Sequence, residues 1–121
     1  EVLDLDLRPG GGLLYAMSAV AADQVAFLKQ AGMPVRNEHR ITYTEVVPNR
    51  RLAYRHAVDF VPGASHYEVA TEVDLETGPG GVRMVLTFDA MHDERWTRMA
   101  TMGWESELGR LARRLEARAA G

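Results

Sequence analysis

Cysteine is absent from the 121 residues, which excludes disulfides and thiolate metal sites and agrees with a reducing, cytoplasmic setting. Lysine is almost absent: Lys29 stands alone among thirteen arginines. The net charge is −3, so no global basic field draws in nucleic acid. No apolar run approaches the roughly 20 residues that span a bilayer, and the opening segment has no signal-peptide pattern. The expectation is a cytoplasmic chain with no membrane and no nucleic-acid partner. Catalytic signatures are missing as well. The glycine-rich stretches Arg8 to Gly12 and Gly78 to Gly81 are not followed by Lys-Ser or Lys-Thr at a helix head, so they read as turns and not as phosphate cradles. There is no G-x-S-x-G elbow. The four histidines lack i, i+2 or i, i+4 spacing, so neither a metal nor a cofactor is expected.

What is present is a patterned chain, 46% hydrophobic, long enough for one domain with its own core over residues 1–121. Alternation of apolar and polar residues marks strands. Leu3, Leu5 and Leu7 fall on one face of the first, and Leu13, Tyr15 and Met17 on one face of the second, across the Arg8–Gly12 turn. Val25, Leu28, Phe27 and Ala31 have helical spacing, and Gly32 with Pro34 stops that helix, so a short helix is predicted over Ala22 to Ala31. Four more strands come after it. Their one-sided sets are Ile41, Tyr43 and Val47; then Leu52, Tyr54, His56, Val58 and Phe60; then Tyr67, Val69, Thr71, Val73 and Leu75; then Val82, Met84, Leu86 and Phe88. Short turns between them imply an antiparallel meander with one polar face. The fold class is α+β, with a long C-terminal helix as the cover for the sheet.

That helix reads from Asp93 to Leu115. At about 100° per residue, Trp96, Ala100, Trp104, Leu108, Leu111 and Leu115 share one broad stripe, and Glu107 lies within it. Asp93 and Glu94 in the first turn and Arg113, Arg114 and Arg118 in the last suit the helix dipole. A buried, unpaired glutamate would be costly. Glu107 is therefore either an edge residue paired with Arg110, or a polar group facing a hollow.

Four segments in order, "LDLRPGGGLLYAM", "YTEVVPNRRLAY", "GVRMVLTFDA" and "MGWESELGRLARRL", resemble the signature segments of the activator-of-Hsp90-ATPase-homologue-like family of the START-like (SRPBCC) superfamily. The best-matched residues are Asp6 to Gly11, Tyr43 to Pro48 with Arg51 and Leu52, and Gly103 and Trp104 with Leu108 and Leu111. The resemblance implies the helix-grip fold, a curved antiparallel sheet wrapped on the C-terminal helix with a cavity between them. It also implies a strand and two short helices ahead of the segment matching Glu1, which this sequence does not contain; a homodimer would be one way to cover the sheet edge left open. The 22–31 helix is longer than the connection in many relatives, and reads as a lid or as a folded loop.

The resemblance implies binding of a small apolar molecule in that cavity. The expected lining is Tyr15, Met17, Tyr43, Tyr54, His56, Tyr67, Val69 and Met84 from the sheet, with Trp96, Trp104 and Glu107 from the helix. Tyrosines and a histidine on the covered face need hydrogen-bond partners, which a cavity with convergent polar groups explains. His56 and Glu107 are the candidates for acid–base catalysis, although a histidine bonded to Tyr43 or Tyr67 is the plainer reading of His56. His39 and His66, near strand starts, read as exposed. Two other functions stay open: a cyclase or hydrolase using the same cavity, and a module that contacts a chaperone.

Overall fold

The computed structural model describes residues 1–59, 61, 63 and 65–120. The chain divides into two units, Glu1–Asp89 and Ala90–Gly121. The first is a six-stranded sheet with strands in chain order: β1 (Val2–Leu5), β2 (Gly12–Ser18), β3 (Arg36–Val47), β4 (Arg51–Val58), β5 (Tyr67–Gly78) and β6 (Gly81–Phe88), all neighbours antiparallel. The helix α1 (Ala22–Gln30) is inserted between β2 and β3. The second unit carries α2 (Glu94–Ala120).

The turns are set by local chemistry. Gly10 N–H donates to the Tyr43 carbonyl and Tyr43 N–H to the Gly11 carbonyl, each at 2.9 Å, so the glycine turn continues the pairing onto β3. A β-carbon at Gly11 would collide with the Asp6 carbonyl, which is why a side chain is not tolerated there. Helix α1 ends as its sequence predicts: Gly32 takes φ +71°, and Met33 N–H returns to the Leu28 carbonyl at 2.8 Å. Asn49 accepts the left-handed φ of 65° in the turn before β4.

Cross-strand partners share a face, and the registers divide the sheet into two sides. One side carries Tyr15 beside His39, the row Leu13–Ile41–His56–Val69, the row Tyr43–Tyr54–Thr71–Phe88, the row Val46–Leu52–Val73–Leu86, then Leu75 beside Met84 and Val58 beside Tyr67. The buried centre of this side is Ile41, Tyr43 and Tyr54, with Leu13, Tyr15, Val46 and Leu52 packed on it. The other side is ionic. Arg51 reaches Glu45 at 2.7 Å, Glu72 at 3.0 Å and Asp74 at 2.7 Å, tying β3, β4 and β5 together across three carboxylates.

Two irregularities change the expected faces. A bulge between Tyr43 and Glu45 inserts one residue and flips the parity of the rest of β3. Val46, not Val47, therefore joins Ile41 and Tyr43, and Val47 pairs with Arg51 on the ionic side. A second irregularity lies between Val2 and Asp4. It breaks the Leu3–Leu5–Leu7 alignment: Val2 pairs with Tyr15 and Leu5 with Leu13, and Leu7 lies beyond the strand. All four β1 residues are exposed, not half-buried, as suits a strand at the sheet edge. Phe60, expected on the β4 face, lies outside the described residues.

Helix α2 begins where its first turn is capped. The Asp93 carboxylate accepts the Trp96 N–H at 2.8 Å, and the Thr97 hydroxyl donates to the Asp93 carbonyl at 2.9 Å while accepting the Met91 N–H at 2.9 Å. The helix runs to Ala120, past the expected end at Leu115, because the arginine-rich tail is itself a good helix former.

Candidate functional site

The polar groups of the tyrosine-bearing side of the sheet converge on one place. Tyr15 on β2 and His39 on β3 are direct cross-strand partners, and their rings stack with centroids 5.1 Å apart and planes 19° apart. His56 on β4 sits diagonally from His39, because the partner of His56 is Ile41, two residues further along β3. That offset brings Nδ1 of His39 within 3.2 Å of Nε2 of His56, with the rings edge-on at 62°. Tyr15 approaches His56 at 6.4 Å between centroids. One row along, Tyr43 and Tyr54 meet edge-to-face at 6.4 Å and 83°, a favoured aromatic geometry.

A hydrogen bond between two imidazoles requires one ring to donate and the other to accept. Two protonated rings would set N–H against N–H, so at least one ring of the pair is neutral. The surroundings enforce this. Burial holds His56 down to about 4, helped by the neighbouring His39 ring and opposed by Asp59. Burial also lowers His39, again against Asp59. Burial pushes Tyr54 up to about 12, with its Thr71 hydrogen bond working the other way, and raises Tyr43 for the same first reason. All four side chains are thus driven toward their uncharged forms.

Among the described residues, no group of three or more histidine, cysteine, aspartate or glutamate side chains is placed to hold a metal. No described helix is long and apolar enough to cross a membrane. The profile of the family described as "Activator of Hsp90 ATPase homolog 1-like protein" matches residues 2–116. The chain belongs to this family. None of the curated proteins compared with it matches. For a member of the activator-of-Hsp90-ATPase-homologue-like family, the six-stranded antiparallel sheet and long C-terminal helix are the expected α+β elements of the helix-grip fold.

Within this family member, the eight sheet residues singled out from sequence lie on one side of the sheet. Tyr43, Tyr54 and Val69 are buried, Tyr15, His56 and Tyr67 half-buried, and Met17 and Met84 exposed. The registers gather Tyr15, Tyr43, Tyr54 and His56 closely; Tyr67 pairs with Val58, and Met84 with Leu75 near the far turn. On α2, Trp96 and Trp104 are half-buried. The Glu107 side chain is 56% exposed, with its carboxylate 3.4 Å from the Arg110 guanidinium one turn on.

His39 is the residue that sequence reading misses. A place near a strand start predicts exposure, yet His39 is half-buried and bonded to His56. The reason is length: β3 begins at Arg36, so His39 is well inside the strand. The signal is present in the sequence, since His39, Ile41 and Tyr43 share parity. The expected partners of His56, Tyr43 or Tyr67, give way to His39 because the diagonal offset brings the two imidazoles together.

Proposed function

We propose that this protein binds a small, mainly apolar molecule against the tyrosine side of its sheet. The observation that carries the reading is the separation of charge. Arg36, Glu38, Arg40, Arg51, Arg55, Glu68, Glu72, Asp74, Glu76 and Arg83 all fall on the opposite side by register. The tyrosine side combines aliphatic rows with a tight group of hydroxyl and imidazole side chains. An apolar surface bearing a few convergent polar groups is the usual make-up of a small-molecule site. Membership of the family supports the same reading, since its wider superfamily is one of ligand binders.

Catalysis on the bound molecule is a second reading with one specific support, the His39–His56 pair. When one of these neutral imidazoles takes up a proton, their shared hydrogen bond lets that proton pass to the other ring, the elementary act of general acid–base chemistry.

The test is a thermal-unfolding screen against neutral aromatic and aliphatic compounds, then nuclear magnetic resonance of the histidine and tyrosine rings. Expected are a raised Tm and shifts confined to Tyr15, His39, His56, Tyr43 and Tyr54. No stabilisation by any class, or shifts centred on the ionic side, would overturn the proposal.

A further inference from the structure

Helix α1 buries none of its nine residues, yet it is two-sided. At about 100° per residue, Val25, Leu28, Ala31 and Phe27 fall on one arc, broken only by Gln24, while Asp23, Lys29 and Gln30 lie on the other. Val25 and Leu28 are half-buried and Phe27 is 40% exposed. A helix this short gains little from propensity and depends on packing of its apolar arc. Here much of that arc is still open to water.

The tether decides what the arc can cover. The β2–β3 ladder closes at its base where the Ala19 N–H donates to the Val35 carbonyl at 2.9 Å, and residues 20–34 leave the sheet from there. Both joints suit a hinge, which needs residues free to change φ and ψ. Val20 is 90% exposed, Ala21 caps the helix with no side-chain hydrogen bond, and Gly32 has φ +71° with open space around it. Nine helical residues span about 13 Å. The strand from Ala19 back to Tyr15 spans about the same length. Turned back along β2, α1 therefore lies over Met17 and ends above the Tyr15–His39 pair.

Polarity decides which side of the sheet it takes. On the ionic side this end carries the Arg36–Glu38 ion pair, and an apolar arc laid there would strip water from charges. On the tyrosine side the same end carries Met17, an apolar side chain 53% exposed.

We propose that α1 is a lid that folds over the Met17 end of the tyrosine side when an apolar molecule is bound there, with Val25, Phe27 and Leu28 completing the site. This rests on the small-molecule reading given above and adds to it residues that the sheet does not supply. A bound apolar molecule gives the arc of α1 a second surface to cover, so closure and binding favour each other.

The neutral apolar dye Nile red is the probe, used on the full chain. Because the chain has no cysteine, a nitroxide on Ala26→Cys, in the middle of the polar arc, is a unique label. Expected on saturation with the dye is a severalfold rise in paramagnetic broadening, greatest at Met17, Tyr15 and His39. Phe27→Ala should raise the Kd for Nile red about tenfold while leaving the Tm of the free protein unchanged, and Phe27→Leu should lose less affinity. Nile red bound with no rise in broadening, or with equal Kd in Phe27→Ala, overturns the lid and leaves the small-molecule reading intact. A lowered Tm of free Phe27→Ala makes Phe27 a packing residue and likewise overturns the lid. Failure of Nile red to bind overturns both.

Discussion

At the scale of single residues, the molecule turns on imidazoles kept neutral by burial. His56 is held at about 4, against about 6.5 for an unconstrained histidine. Between those values the unfolded chain takes up a proton that the folded chain resists. The His56 contribution to stability is therefore complete above about pH 6.5 and declines as the pH falls toward about 4. With the ring partly open to solvent, the loss is on the order of 1–2 kcal/mol. His39, lowered by the same cause, deepens the decline in the same direction. Urea unfolding across this range should show it, and His56→Phe should flatten the curve between about pH 5 and 6.5; an unchanged slope in the variant would remove His56 as the cause. Glycines give a second residue-scale contrast. Gly10, at φ +84° with open space around it, should lose about 1 kcal/mol on Gly10→Ala, the cost of a left-handed β-carbon. Gly11→Ala should cost clearly more, since the new carbon meets the Asp6 carbonyl, and the same urea experiment ranks the two.

At the scale of elements, the first turn of α2 and the Arg51 junction hold their pieces in different ways. The Asp93 cap satisfies the Trp96 N–H, so Asp93→Ala should lower stability by about 1 kcal/mol with a loss of helical circular dichroism, whereas Asp93→Asn, which still accepts a hydrogen bond, should lose less. Arg51 on β4 gathers Glu45 from β3 and Glu72 and Asp74 from β5, and these carboxylates hold its guanidinium firmly charged. Arg51→Leu leaves three like charges on the two strands that flank β4. Its Tm should fall by several degrees in low salt and recover part of that fall in high salt, because screening weakens the repulsion. A salt-independent fall would mean that packing of the arginine stem, not charge, is what matters.

At the scale of the whole molecule, a ligand that binds only the folded protein stabilises it by mass action. At a free concentration of 100 times Kd the gain is about 2.7 kcal/mol, so a small apolar probe that binds should shift the unfolding curve with concentration in that proportion. The α+β class, the six strands and both helices were legible in the sequence, because alternation and helical spacing are local patterns that burial imposes on composition. So were the stop at Gly32 and the start of the long helix at Asp93, which depend on a few neighbouring residues. Eight residues of one sheet side were legible for the same reason, strand parity. Parity fails wherever a residue is inserted, and it misplaces Val47 and Leu3 at the two irregularities.

The sequence by itself determined which residues alternate, where helices begin and end, and that charge and aromatic hydroxyls fall on opposite sides of β4 and β5. Those are properties of a chain and its immediate neighbours. Only the tertiary structure decided that His39 meets His56 across the sheet, and that Arg51 gathers three carboxylates. Both depend on the register between strands, which is set by bulges and turn geometry together with the competition of whole rows for burial, and not by any one segment.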